Sequence, residues 1–144
     1  MMQANRSDRW IVSNKAAEAV GPYPHARFYG GLIYLCGMGP RVKGEERIPG
    51  VFYDEKKQII THDVAIQTHA VVQNLQYVLD DCGSSLANII DIQVFLTNMK
   101  KDFKIFNKVY EEYFSIHNGP TRTTIEVTSL PTDICVEFKV VAHE

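Results

Sequence analysis

The stretch from Gly119 to Lys139, GPTRTTIEVTSLPTDICVEFK, sets one arginine and one glutamate into two alternating apolar runs joined through Leu130-Pro131. Side chains along a strand point alternately to its two faces, so Thr123, Ile125 and Val127 oppose Arg122, Thr124 and Glu126. In the second run Ile134, Val136 and Phe138 oppose Cys135, Glu137 and Lys139. Each run therefore has one oily face and one polar face. Paired directly as an antiparallel hairpin closed over Thr128 to Pro131, the runs set Arg122 opposite Glu137, and guanidinium and carboxylate share a site. A one-residue slip of register breaks this pairing. The plainer reading of the same pair is a cross-strand ion pair, which contributes only about 0–1 kcal/mol when exposed.

Outward from that stretch, the composition is that of one ordinary globular domain. A chain of 144 residues with 45% hydrophobic content is long enough for one core and short for two. The expected division is a polar lead-in over residues 1–9 and a single domain over 10–144. A net charge of −2 with interspersed signs leaves no basic stripe for nucleic acid, and no apolar run approaches the roughly 20 residues that span a bilayer. The opening MMQANRSDRW lacks the apolar centre of a secretion signal, and Cys36, Cys82 and Cys135 are odd in number and widely spaced. Reduced thiols and a cytoplasmic location are expected.

The pattern alternates strands and helices without repeats. Trp10 to Ser13 reads as a short edge strand, and Ala26–Tyr29 and Leu32–Gly37 as two strands around the Gly30-Gly31 turn. Arg41 to Gln58 mixes charge, Gly and Pro and reads as a surface loop with room for a short hairpin. Val64, Thr68, Val71, Leu75, Val78, Leu79 and Cys82 recur at helical spacing, with Thr61 or Asp63 to start the helix and Gly83 to end it. Ile89 to Thr97 reads as a strand with Ile90, Ile92, Val94 and Leu96 on one face. A second helix is expected from about Asp102, its stripe of Phe103, Phe106, Tyr110, Tyr113 and Phe114 reading as core. Two helices cover one face of a five- or six-stranded sheet, so the other face calls for a partner.

GPTRTTIEVTSLPTDICVEF resembles the C-terminal signature of the Rid (reactive intermediate deaminase, YjgF-like) family. The likeness runs on through AVGPYPHA (Ala19–Ala26), LIYLCGMGP (Leu32–Pro40), IIDIQVFLTNM (Ile89–Met99) and DFKIFNKVYEEYF (Asp102–Phe114). It implies an α+β, chorismate-mutase-like fold and a homotrimer whose sheets close a central barrel, with sites in the clefts between subunits. The implied reaction is hydrolysis of a carboxylate-bearing enamine or imine to a 2-keto acid and ammonia, with no cofactor. By the same resemblance Arg122 binds the substrate carboxylate and Glu137 activates water. Tyr23 reaches into the cleft, the Gly37 carbonyl faces the substrate nitrogen, the Thr124 N–H donates to the carboxylate, and Asn107 lies near the cleft.

Tyr23 to Arg27 (YPHAR), Ile48 to Val51 (IPGV) and Arg122 to Val127 (RTTIEV) are similar to the family's 2-aminomuconate deaminase branch. Such a dicarboxylate needs a second cation, for which Arg41, His25 and Arg27 are the candidates. A broad 2-iminobutanoate or 2-iminopropanoate deaminase and a non-catalytic keto-acid-binding or chaperone-like trimer are the alternatives. No metal is expected, because His62 and His69 stand two helical turns apart with neither HxxxH nor CxxC nearby.

Overall fold

The structure, a computed structural model, describes residues 9–144, so the lead-in expected over 1–9 lies outside the described residues apart from Arg9. Arg9 already joins the sheet margin, its carbonyl accepting the Phe28 N–H at 2.8 Å and its guanidinium stacking 3.9 Å from the Phe28 ring centre. The elements in chain order are β1 Trp10–Ile11, β2 Ala26–Tyr29, β3 Leu32–Leu35, β4 Val51–Tyr53, β5 Ile59–His62, α1 Val64–Asp81, β6 Ile89–Leu96, α2 Met99–Tyr110, β7 Thr121–Glu126 and β8 Val136–His143. Six strands form one mixed sheet in the order β1-β2-β3-β8-β6-β7, and β4 with β5 forms a separate hairpin. Among the described residues no helix is long and apolar enough to cross a membrane.

Both helices pack on one face of the sheet. α1 starts at Asp63, whose Oδ1 accepts the Ile66 N–H at 3.0 Å, a cap that stabilises by about 1 kcal/mol. It stops at Cys82, where Gly83 takes φ +71°, a conformation that only glycine enters freely. The expected stripe from Val64 through Leu79 is buried against the sheet. α2 begins at Met99 rather than Asp102, because Asn98 accepts the Lys101 N–H at 3.2 Å and caps it there. Tyr113 and Phe114 lie beyond its end, though both still pack on the core. Phe106 meets Phe138 of β8 edge to face at 5.9 Å, tying α2 to the sheet centre.

The hairpin expected from Arg122 to Glu137 does not form. β7 pairs with β6 in parallel, Arg122 beside Ile92, and β8 pairs with β6 antiparallel, Glu137 beside Phe95. The chain between β7 and β8 passes the C-terminal end of β6, where Leu96 has Glu126 on one side and Val136 on the other. Since Ile92 faces the helices and Phe95 is an odd number of residues along, Arg122 and Glu137 stand on opposite faces of the sheet. Two adjacent alternating runs cannot reveal that a third strand separates them.

β7 is also inverted relative to the simple expectation. Its polar side, Arg122 and Thr124, lies towards the helices, while Ile125 on its oily side is 45% exposed. β6 departs in a smaller way: a bulge between Ile89 and Asp91 buries Ile89 and turns Ile90 outward, 43% exposed, where unbroken alternation had put Ile90 inside.

Candidate functional site

A pocket of about 190 Å³ opens where three irregular segments meet β8: the loop carrying Val20 and Tyr23, the turn Gly37–Arg41 after β3, and Pro131–Ile134. It gathers Tyr23, Gly37, Arg41 and Glu137 from three stretches of sequence. The Gly37–Arg41 turn leaves β3 at Cys36 and is pinned to β8 by paired Met38–Phe138 backbone bonds of 2.8 and 2.9 Å. Glu137 has no cation paired with it among the described residues, and burial raises its carboxyl pKa above the ordinary value. Two residues along on the same face, Lys139 donates to the Leu35 carbonyl, and burial lowers its pKa. Cys36 lies between them in charge terms, its thiol pKa raised chiefly by burial.

Arg41 lines the pocket and also reaches the neighbouring loop. Its Nη2 donates to the Glu18 carbonyl at 2.5 Å, tying the turn after β3 to the loop that bears Tyr23. A guanidinium carries five N–H donors, and this is its one hydrogen bond to a described residue.

Arg122 and Thr124 form a second cluster, away from the pocket. The Arg122 guanidinium lies 4.6 Å from the Tyr110 ring centre, 5.2 Å from Phe106 and 6.0 Å from Phe103, an aromatic cradle supplied by α2. It has no carboxylate or carbonyl partner among the described residues. The stripe read from sequence as core is thus also the seat of this arginine. The Val127 N–H donates to the Leu96 carbonyl at 2.9 Å, so by the two-residue period the Thr124 N–H points away from β6 to the open edge. The Tyr110 and Thr124 hydroxyls are buried and unpartnered among the described residues. Asn107 lies half-buried on α2, and its side chain bonds no described residue.

The remaining candidates do not line this pocket, though His25 lies beside Tyr23, Gly37 and Arg41 in a small adjoining cavity. His25 is 3% exposed; its Nδ1 accepts the Ser13 N–H at 3.0 Å and its Nε2 lies 2.8 Å from the Ala17 carbonyl. Both ring nitrogens are thus taken up by backbone groups, and the ring braces the loop. Arg27 projects from β2 over Trp10, 5.0 Å from its ring centre, and does not line the pocket. His69 approaches the Tyr113 hydroxyl at 2.5 Å, and the His62 carbonyl accepts from Lys101 at 2.9 Å.

The model of the family described as endoribonuclease L-PSP matches residues 13–144. A RutC family protein of Pyrococcus abyssi is 31% identical over 134 residues, covering 93% of this chain and 95% of its own. The 2-iminobutanoate/2-iminopropanoate deaminase of Salmonella typhimurium is 27% identical over 134 residues, covering 92% and 94%. The crystal structure of Escherichia coli TdcF with bound serine superposes with a TM-score of 0.78 at 27% identity, covering 94% of this chain and 98% of that one. Two helices on a mixed six-stranded sheet are therefore the α+β, YjgF-like fold. The chain belongs to the endoribonuclease L-PSP family, the family of the RutC and Rid proteins.

Proposed function

We propose that the chain is a cofactor-independent enamine/imine deaminase acting as a homotrimer, with each site completed by two neighbouring copies. The observation that carries this reading is the division of the site. Tyr23, Gly37, Arg41 and Glu137 share one pocket, while Arg122 and Thr124 lie on the edge strand β7 with no acceptor among the described residues. A neighbour that sets its β7 edge against this pocket unites the halves, and Tyr34 and Ile125 give the uncovered face apolar surface for the purpose. The names carried by the Salmonella relative and by TdcF support the reaction class.

The chemistry needs little beyond position. An enamino acid tautomerises to an imine whose carbon is electrophilic. Arg122 grips the carboxylate through its fork, and the Thr124 N–H adds a donor. Glu137 takes a proton from water as the water oxygen bonds to the imine carbon. The resulting carbinolamine then expels ammonia, leaving the keto group, with the proton returned to nitrogen. The raised pKa of Glu137 makes its ionised form a better base than an exposed carboxylate. The Tyr23 hydroxyl and Gly37 carbonyl hold the leaving nitrogen.

Within that class we favour 2-aminomuconate, because Arg41 puts a second guanidinium in the pocket with Glu137, suited to a far carboxylate. A cytoplasmic setting draws support from the three free cysteines. The test is ammonia release from 2-aminomuconate and from 2-iminobutanoate, each generated in situ and corrected for spontaneous hydrolysis. Preference for the dicarboxylate is expected, preference for the small imine would make the protein a general scavenger, and acceleration of neither would leave a binding module. Arg122→Ala should cost roughly ten- to hundredfold in kcat/KM, in line with losing a charge-assisted hydrogen-bonding group, without dispersing the assembly.

A further inference from the structure

Asn74 lies in the middle of α1, 4% exposed, among Val71, Leu75 and Val78, where a polar side chain is costly unless it is bonded. Its amide nitrogen donates 2.9 Å to the Gly39 carbonyl and 2.7 Å to the Arg41 carbonyl. Both protons of one amide thus go to one short, irregular segment, and the two acceptors fix which way the amide is turned. On its other side the same segment is held to β8 through Met38 and Phe138. The backbone of Arg41 is clamped from α1, and its guanidinium is clamped at one corner by the Glu18 carbonyl. A residue held at both ends is already ordered before a ligand arrives, so less freedom is lost when it binds.

We infer that Asn74 is a specificity-determining positioning residue, which by gripping the Gly39 and Arg41 carbonyls presents the Arg41 guanidinium to the far carboxylate of a dicarboxylic substrate. The inference rests on the dicarboxylate reading given above and adds to it the residue that makes Arg41 a fixed receptor rather than a loose surface charge. Asn74 touches no reacting atom. Its influence runs through the backbone of the turn, so it should govern discrimination between ligands more than the binding they share.

The test is calorimetric binding of cis,cis-muconate and of sorbate, which keeps the six-carbon diene and one carboxylate but ends in a methyl group. The proteins are the wild type, Asn74→Ala, Asn74→Asp and Arg41→Ala. The wild type should bind muconate about tenfold or more tightly over sorbate, as one well-placed charge-assisted contact allows. Both Asn74 variants should reduce that ratio to about threefold or less by weakening muconate alone, since a loosened arginine must be ordered on binding. Unaltered sorbate affinity and a cooperative melt serve as the check on folding. Asn74→Asp keeps the size of the side chain while removing its donors, so it separates hydrogen bonding from packing.

An unchanged ratio in the Asn74 variants, with Arg41→Ala losing the preference, overturns this inference and leaves the dicarboxylate reading standing. A wild type without preference overturns both. Equal weakening of both ligands, or loss of the cooperative melt in both Asn74 variants, makes Asn74 a residue of the fold and overturns the inference as well.

Discussion

A methyl group built on Gly37 would lie 2.8 Å from Oε2 of Glu137 and 3.1 Å from its Cδ, so the carboxyl group rests directly over the glycine backbone. Gly37 serves here by absence: nothing between its α-carbon and the carboxylate holds the acid away from the turn. The obstructed atoms are the far end of a flexible side chain, and they swing aside more easily than the backbone moves. Gly37→Ala should therefore melt close to wild type yet lose about a hundredfold in turnover, the scale of a displaced general base. Turnover at the wild-type level would detach the position of Glu137 from the reaction.

Glu137 supplies a prediction in pH. Burial raises its folded-state pKa above the ordinary 4.5. A raised pKa means stability that is fully present below the unfolded value and lost as pH rises through the folded one. Glu137→Gln, which never ionises, should thus melt above wild type at neutral pH, with the gap closing at about pH 4, near the unfolded carboxyl value. In activity the sign reverses. In the proposed reaction the ionised form is the base, so wild-type rate should climb as pH passes the raised pKa, and the glutamine variant should be slow and flat. A glutamine variant that melts below wild type at neutral pH would mean that a cation pairs with Glu137 in the assembled protein.

The buried Tyr110 hydroxyl has no partner among the described residues, and an unsatisfied hydroxyl in an apolar setting costs free energy. Tyr110→Phe removes one oxygen and keeps the ring under Arg122. It should raise unfolding stability by up to about 1 kcal/mol in urea titration. A lower midpoint would show that another copy of the chain supplies the missing acceptor.

Ile125 stands exposed on the uncovered face, on an edge strand. Ile125→Glu should shift the sedimentation coefficient towards that of a monomer while far-ultraviolet circular dichroism stays at the wild-type level. Unaltered sedimentation would put the contact between copies elsewhere.

What the sequence discloses divides by the range of the interaction. α1 was legible because its spacing and its Asp63 cap are local, and the β2–β3 turn because two glycines sit at positive φ, +60° and +80°. The partner of β7 was not, because a parallel neighbour reached through α2 leaves no mark in a strand's own alternation. The start of α2 is hidden because Asn98 caps a first turn that holds Lys100 and Lys101 and carries no apolar period. Tyr23, Gly37, Arg41 and Glu137 were each picked out from motifs, and they meet in one pocket; His25, picked out beside them, is a brace. Asn74 is not legible in the sequence, since one amide inside an apolar stripe gives no sign until its acceptors are seen.

The outward turn of the oily side of β7 separates two jobs that most strands do with the same side chains. Arg122 and Thr124 are seated against the helices, whereas the opposite row is open and in the proposed trimer would face a neighbour. Damage to one row can be inflicted without the other feeling it. Under the proposed assembly, intact but solitary chains are an accessible state, and a site that needs two copies would make dilution alone an off-switch.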